Sequence, residues 1–391
     1  MKKIVVGIDL GTHVTRVVMA EYIKGKTIPR LIATGSAESM GLHHGYVINI
    51  EQASNSLKKA INEAEKNSGI RIEQAILSIG GISLNSEISN GSAVISKIDK
   101  EVTNLDVAKA IAESEKNLKL LNKKIIYVTP VMFKLDGKEV LGKPEGMKGL
   151  KLEVKTLFIT CLEQHLENLL AVASKTGINV INIIPSPLAA SLVALTEKQK
   201  MVGCILVNIG AETVSIAVFE NNDVVSLHIF AIGSTDITND IALGLQIPIE
   251  EAEQIKTGTI IGGDYSKKKL DEIIEARLSD IFELIENHLK KIKRNGLLPA
   301  GVIMTGGGSR IASIEDLSKN LLKLPSKIGS LENFSLGVNS KIRDSSWFVA
   351  YGLCLYEKNI SNQDFLQSSL LEKTLKSIKD IFSSITHQLL P

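Results

Sequence analysis

Apolar and polar positions alternate with period two through residues 4–9 and again through 14–20, and β-branched side chains dominate both runs. The pattern predicts two strands of a hairpin, turned at Gly11-Thr12-His13. Residues 51–67 switch to helical spacing, with Ala53, Leu57, Ala60, Ile61 and Ala64 on one face and Ser68-Gly69 as the stop. Gln74–Gly81 reads as a buried strand ending in glycines. From about Ser83 the texture changes to an extended 83–98, a helix at 104–118, and strands at 124–134, 138–142 and 151–160. That order predicts a small inserted α+β domain. A helix (163–176), a strand (180–184) and, after Pro185-Ser186-Pro187, a helix at 188–196 complete the first half. The second half opens with another hairpin over 202–219 and a strand at 223–231. Helices follow, from about Thr235 to Gly244, at Ile249–Lys256 and at Leu270–Lys293, then a strand at Leu298–Met304. Trp347–Tyr356 predicts a helix packed under the first domain, and 357–369 a polar loop. Finally Leu371, Leu375, Ile378, Phe382, Ile385 and Leu389 recur at spacings of 4, 3, 4, 3 and 4, one continuous helix face with Lys373, Lys376 and Lys379 off it.

Composition adds bounds rather than detail. A chain of 391 residues with 44% apolar content predicts two or three domains with ample burial. A net charge of +2 gives no sign of general nucleic-acid binding. Cys161, Cys204 and Cys354 are far apart and show no metal-ligand spacing, which suits a reducing cytoplasm. The opening apolar run stops at Asp9, too early for a signal peptide. The most apolar long stretch, Val202–Phe219, carries Asn208 and Glu212 in its middle and reads as two strands rather than a membrane span.

Candidate chemistry lies in a design that occurs three times: Ile4–Thr12, Ile205–Thr213 and Gly301–Ser309 each run from a short apolar strand into a glycine turn with small hydroxyl residues. A glycine turn lets backbone N–H groups approach a phosphate that a Cβ would hold off. Two such hairpins about two hundred residues apart suggest two similar halves clamping one nucleotide. Asp9 could hold Mg²⁺ through water, with Asn208 on the opposite side, while Gly11 and Thr12 could donate to the phosphates. His13, Arg16, Gly210, Ala211, Glu212, Thr213 and Gly233 also belong to the expected nucleotide-binding set. Glu253 and Lys256 share a helix face, placing a carboxylate for ribose hydroxyls beside a cation for adenine, although the same spacing suits a solvated surface pair. Gly306, Gly307 and Gly308 would let backbone lie flat against the adenosine.

This set resembles the actin-like ATPase superfamily, whose pattern is a first phosphate loop G-x-D-x-G-[ST], a second loop D-x-G-x-G-T and a glycine-rich adenosine loop. Here these are Gly7–Thr12, Asn208–Thr213 and Thr305–Ser309, with connecting helices at Pro187–Leu195 and Trp347–Tyr356. The match narrows to the FtsA cell-division family on Gly45–Glu51, Ala64–Gly69, Gly80-Gly81, Asp136-Gly137, Pro144–Val154, Asp236–Ile241 and Ala252–Lys256. The resemblance implies a two-domain α/β fold of ribonuclease-H-like repeats. Its parts would be 1–83, 163–195 and 331–356 (subdomain 1A), 84–162 (inserted 1C), 196–236 and 301–330 (2A), 237–300 (2B), a linker at 357–369 and an amphipathic membrane-targeting helix at 370–391.

It also implies ATP and Mg²⁺ as ligands, filaments of the chain with itself, and a division site on the cytoplasmic side of the cell membrane. The helix at 370–391 would lie in the interface with its lysines near anionic lipids, and polymerisation would multiply its modest affinity. The implied partners are the acidic C-terminal peptide of FtsZ, met by Arg277, Lys290 and Lys293, and later division proteins. Two departures bear on hydrolysis. Asn208 replaces the usual Asp and cannot act as a base, and Glu212 stands where glycine is usual, putting an anion near the phosphates. Ser186 also stands where a carboxamide or carboxylate is common. Together they imply ATP held with slow or absent hydrolysis. Alternative expectations on the same fold are a pilus-assembly ATP-binding protein and a sugar or metabolite kinase.

Overall fold

The computed structural model describes residues 3–26, 28–259, 265–331 and 340–362. The first half begins with β1 (Lys3–Leu10), β2 (Val14–Tyr22) and β3 (Arg30–Glu38). A small ribbon of β4 (Leu42–His43) and β5 (Tyr46–Val47), then α1 (Ile50–Ser68) and β6 (Gln74–Ile79), follow. The inserted unit comprises β7 (Asn85–Val94), α2 (Asn104–Lys116), β8 (Lys123–Leu135), β9 (Lys138–Val140) and β10 (Lys151–Leu162). The chain returns through α3 (Glu163–Lys175), β11 (Asn179–Pro185) and α4 (Ser186–Ala194). The second half runs α5 (Glu197–Val202), β12 (Cys204–Ile209), β13 (Val214–Glu220), β14 (Asp223–Phe230), α6 (Ser234–Leu245), α7 (Ile249–Lys256) and α8 (Lys267–Lys291). It ends with β15 (Val302–Thr305), α9 (Ile314–Leu322) and β16 (Ser326–Ile328), and α10 (Phe348–Asn362) crosses back to the first half.

The two halves repeat one sheet. In the first, the order is β11-β6-β1-β2-β3, and in the second β16-β15-β12-β13-β14. Each has a central hairpin and a third strand paired antiparallel, and two strands paired parallel on the other side. Strands buried on both faces read as continuous apolar runs. Hence Val5, Val6, Ile8 and Leu10, and likewise Ile205, Leu206, Val207 and Ile209, are all buried. Helix ends are set locally: Asn49 caps α1 by accepting from the Gln52 N–H, and Gly69 at φ 69° ends it.

The inserted unit has its own small core of Ile95, Val107, Ala110, Ile111, Leu152 and Val154. Its base, through Leu157, Ile159 and Cys161, joins the core of the first half. The edge strand β14 meets β7 at one register pair, His228 with Asn85, reinforced by Ser86 Oγ, which donates to the Leu227 carbonyl and accepts the Leu227 N–H at 2.8 Å each. The second-half sheet and the inserted sheet thereby form one nine-stranded surface. The crossing helices α4 and α10 touch backbone to backbone: a Cβ on Gly352 would stand 1.9 Å from the Ala189 carbonyl oxygen.

Two expectations on element bounds are corrected. The helix expected to end at Tyr356 continues to Asn362, because nothing from Glu357 to Asn362 is a Gly or Pro stop. The strand expected from Leu298 begins only at Val302, since Pro299 lacks an N–H and the Gly301 N–H turns back to the Leu298 carbonyl at 2.9 Å. β3, α5, α9 and β16 are elements that the sequence pattern does not announce. The rest of the linker and the amphipathic segment 370–391, with Leu371, Leu375, Ile378, Phe382, Ile385 and Leu389, lie outside the described residues.

Candidate functional site

The β1–β2 register sets Asp9 opposite Arg16 at the end of the first hairpin. Ser78 on β6 donates to Asp9 Oδ1 at 2.6 Å. Burial raises the Asp9 pKa, while the Ser78 hydrogen bond and the Arg16 charge oppose that rise. Arg16 lies over the Trp347 ring, 5.6 Å from its centroid, and burial lowers its pKa against the pull of Asp9 and Asp344. Gly11 has no room for a side chain, since a Cβ there would stand 2.7 Å from the Val14 carbonyl oxygen.

The second hairpin repeats the arrangement. The Gly210 N–H closes the turn on the Thr213 carbonyl at 2.9 Å. The start of α6 is stapled beneath it by Ser234 N–H to Gly210 O and Thr235 N–H to Ala211 O. Gly233 passes so close to this turn that a Cβ would stand 2.2 Å from the Ala211 carbonyl oxygen. Asn208 sits beside Thr305 in the parallel β12–β15 pair, which delivers the third turn to the same place. Gly306 takes φ 87° there, with Asn208 Oδ1 and the Ile209 carbonyl where its Cβ would be.

The ion pair on α7 is solvated only on its carboxylate side, where Glu253 is 47% exposed. Lys256 is only 7% exposed, and its Nζ lies 2.7 Å from Glu253 Oε2. The same Nζ donates to the Ser234 carbonyl at 3.0 Å and to Thr238 Oγ1 at 2.7 Å. Desolvation would raise the Glu253 pKa, but hydrogen bonds from Lys256 and Thr238 outweigh it and the net shift is downward. This knot ties α7 to the start of α6 directly beside the second turn.

All three turns open onto one cleft of about 380 Å³ between the halves. It is lined by Asp9, Gly11, Thr12, His13 and Arg16 from the first half and by Asn208, Gly210, Ala211, Thr213, Glu253, Lys256 and Gly306 to Gly308 from the second. Such a size and mixed lining are those of a small-molecule site. Gly45, Gly80, Gly81, Arg310, Asp344 and Ser346 also line it and were not among the expected site residues, and Ser186, whose place was expected to bear on hydrolysis, lines it too. The first three stood in stretches singled out for other reasons, and Arg310 and Asp344, an ion pair, carried no local signal.

Glu212 departs from expectation. Its carboxylate accepts the His44 N–H at 2.6 Å and lies 3.1 Å from His43 Nδ1, so the anion it brings to the second turn is partnered by the other half of the molecule. The basic group on α8 also differs from an open cationic patch. Arg277 makes a two-pronged contact with Asp240 at 2.6 and 3.0 Å and a third with Asp280 at 3.3 Å, Lys290 pairs with Glu286 at 2.8 Å, and Lys293 is exposed just past the helix end. Among the described residues no group of three His, Cys, Asp or Glu side chains is placed to hold a metal ion by itself, and no helix is long and apolar enough to cross a membrane.

Two repeated five-stranded units facing each other across a glycine-lined cleft, with crossing helices beneath, define an actin-like protein. Among solved structures, the PilM-PilN type IV pilus biogenesis complex aligns with a TM-score of 0.67 at 16% identity, covering 90% of this chain and 98% of that one. MreB5 of Spiroplasma citri bound to ADP aligns at 0.52, also at 16% identity, covering 92% and 97%. Both likenesses speak for the fold alone. In sequence, the family described as Cell division protein FtsA matches residues 205–352, and the SHS2 domain inserted in FtsA matches 81–160. The cell division protein FtsA of Bacillus subtilis is 29% identical over 89% of this chain and 82% of its own length. The chain belongs to the FtsA family of actin-like cell-division proteins.

Proposed function

We propose that the chain binds ATP with Mg²⁺ in the cleft, assembles with further copies of itself into filaments, and ties a ring of FtsZ to the cytoplasmic membrane through residues 370–391. One observation carries the nucleotide part. Three glycine turns from two repeated halves converge on one cleft, and at Gly11, Gly233 and Gly306 backbone occupies the space a side chain would need. Glycine at these places lets the turns lie close to a bound anion, which a Cβ would hold off. The β- and γ-phosphates would lie between Gly11-Thr12 and Gly210–Thr213, and the adenosine along Gly306–Gly308 with Glu253 toward the ribose. Lys256, saturated by Glu253, Thr238 and Ser234, supports that wall rather than reaching for the base.

The donor set suits Mg²⁺. One half-buried carboxylate, Asp9, with the neutral Asn208 across the cleft, matches an ion that keeps several waters and takes the rest of its ligands from phosphates. When bound, the ion would neutralise phosphate charge. Holding is favoured over hydrolysis because the neutral Asn208 cannot act as a base, and the Glu253 and Asp344 carboxylates are engaged with Lys256 and Arg310. A bound nucleotide would stabilise the closed pair of halves by mass action.

The tether rests on the family and on the helical apolar face of 371–389. Co-sedimentation with anionic liposomes compares the full chain with one ending at residue 369, each with ATP and Mg²⁺. The full chain is expected in the pellet and the shortened one in the supernatant; equal pelleting would sink the tether. Pull-down on an FtsZ tail peptide and on a peptide from a pilus partner separates the division role from the pilus role that the fold alone would allow.

A further inference from the structure

The two halves touch at the rim of the cleft through one compact set of polar contacts that joins residues 168 positions apart. The Glu212 carboxylate accepts the His44 N–H at 2.6 Å and faces His43 Nδ1 at 3.1 Å. The Glu212 carbonyl lies 3.0 Å from His44 Nδ1. Three contacts thus tie the tip of the second phosphate turn to the β4–β5 ribbon of the first half.

Both ends of this tie are stiff. On the first-half side, Gly45 and Gly81 approach so closely that a Cβ on Gly45 would stand 2.5 Å from the Gly81 Cα. His165 is buried beneath them, 3.0 Å from Ser83 Oγ, with its ring 4.5 Å from that of Tyr46. The Gly41 carbonyl closes the other end of the ribbon by accepting from the N–H groups of Ile48 and Asn49. On the second-half side, the turn is held by its own Gly210–Thr213 bond and by Thr235 N–H on the Ala211 carbonyl. A short contact between two rigid bodies opens or closes as a unit, unlike one between mobile side chains. Its place is decisive: Glu212 neighbours Ala211 and Thr213, and His44 neighbours Gly45, and those three neighbours line the cleft.

We propose that Glu212 with His43 and His44 is a latch that closes the phosphate end of the cleft, so that the halves must release it before a bound nucleotide leaves. The inference rests on the nucleotide reading of the cleft. The latch explains the carboxylate in a turn otherwise made of small residues: it spans the gap to the facing ribbon, which glycine could not do.

The test uses the full chain with a fluorescent ATP derivative and Mg²⁺, chased with excess ATP, and hydrogen exchange without nucleotide. In Glu212→Ala the probe is expected to dissociate about tenfold faster than from the wild type, equivalent to about 1.4 kcal/mol. Glu212→Gln keeps an acceptor for the His44 N–H and is expected to fall in between. His43→Ala removes an exposed ring, leaves the fold intact, and is expected to speed dissociation about threefold. Without nucleotide, exchange across residues 41–47 is expected to quicken in Glu212→Ala while 74–79 stays protected. A wild type that fails to bind the probe overturns the nucleotide reading and the gate with it. Binding with dissociation from Glu212→Ala and His43→Ala within twofold of wild type overturns the gate alone, as does unchanged exchange at 41–47.

Discussion

The three consecutive glycines at 306–308 stand in three different environments, and alanine at each should have a different effect. Gly306 is buried with φ 87° and ψ 170°, a conformation that side chains rarely adopt, and holding alanine there costs about 1–3 kcal/mol. Its Cβ would also stand 2.4 Å from the Ile209 carbonyl oxygen and 2.6 Å from Asn208 Oδ1, an overpacking worth a further 1–3 kcal/mol or so. The chain can escape only by lifting the third turn off β12, which opens the adenosine wall. Gly308→Ala meets Ile209 Cγ2 at 2.4 Å and Ser234 Cβ at 3.1 Å without backbone strain, so about 1–2 kcal/mol is expected. Gly307 is exposed, with nothing within 4 Å of the place its methyl would take, so the free-state stability of Gly307→Ala should change by less than about 0.5 kcal/mol. Urea unfolding without nucleotide gives the three stabilities, and titration with a fluorescent ATP derivative gives the affinities. Gly306→Ala should lose both stability and binding, whereas Gly307→Ala should lose binding alone if backbone lies against the adenosine. Equal stability in Gly306→Ala and Gly307→Ala would refute the geometric reasoning, and full affinity in Gly306→Ala would remove this turn from the site.

Other outcomes follow from the same structure. Burial pushes the His165 pKa down to about 4, below its ordinary 6.5, despite a hydrogen bond to Gly45 that favours the charged form. Its contribution is therefore fully present above pH 6.5 and is lost as pH falls toward 4. Between pH 7.5 and pH 5 the wild type should lose about 2 kcal/mol more than His165→Asn in paired urea titrations. Gly352→Ala should lower stability by about 3 kcal/mol, because its Cβ would stand 1.9 Å from the Ala189 carbonyl where α4 and α10 cross, and an unchanged urea midpoint would contradict that contact. Arg277→Lys keeps the charge but loses the fork on Asp240 and should cost at most about 1 kcal/mol at this half-exposed site, read as a small fall in Tm.

How far the sequence was legible depended on whether a feature was local. Both central hairpins and the glycine turns were readable, since period two and a glycine stop are written in a few adjacent residues, as at Ile4–Thr12 and Ile205–Thr213. β3 escaped because Gly35 interrupts it, and that glycine is explained only by α1, where a Cβ would strike the Ala60 carbonyl at 2.0 Å. The spacing of Glu253 and Lys256 also suits a surface pair, because helical periodicity cannot say that Lys256 is buried and that Thr238 on α6 joins the pair. Glu212 was read against its sequence neighbours, while its partners His43 and His44 lie in the other half of the molecule. Arg277 looked free for the same reason, its counterion Asp240 being on another helix.

Everything proposed for this chain depends on a nucleotide in the cleft between the repeated halves. The most direct measurement is a crystal or cryo-EM structure of the full chain with Mg²⁺ and a non-hydrolysable ATP analogue. Phosphates are expected between Gly11-Thr12 and Gly210–Thr213, the base against Gly306–Gly308, and Glu212 still joined to His43 and His44. An analogue bound elsewhere on the molecule, with this cleft empty at saturating concentration, would contradict the nucleotide reading.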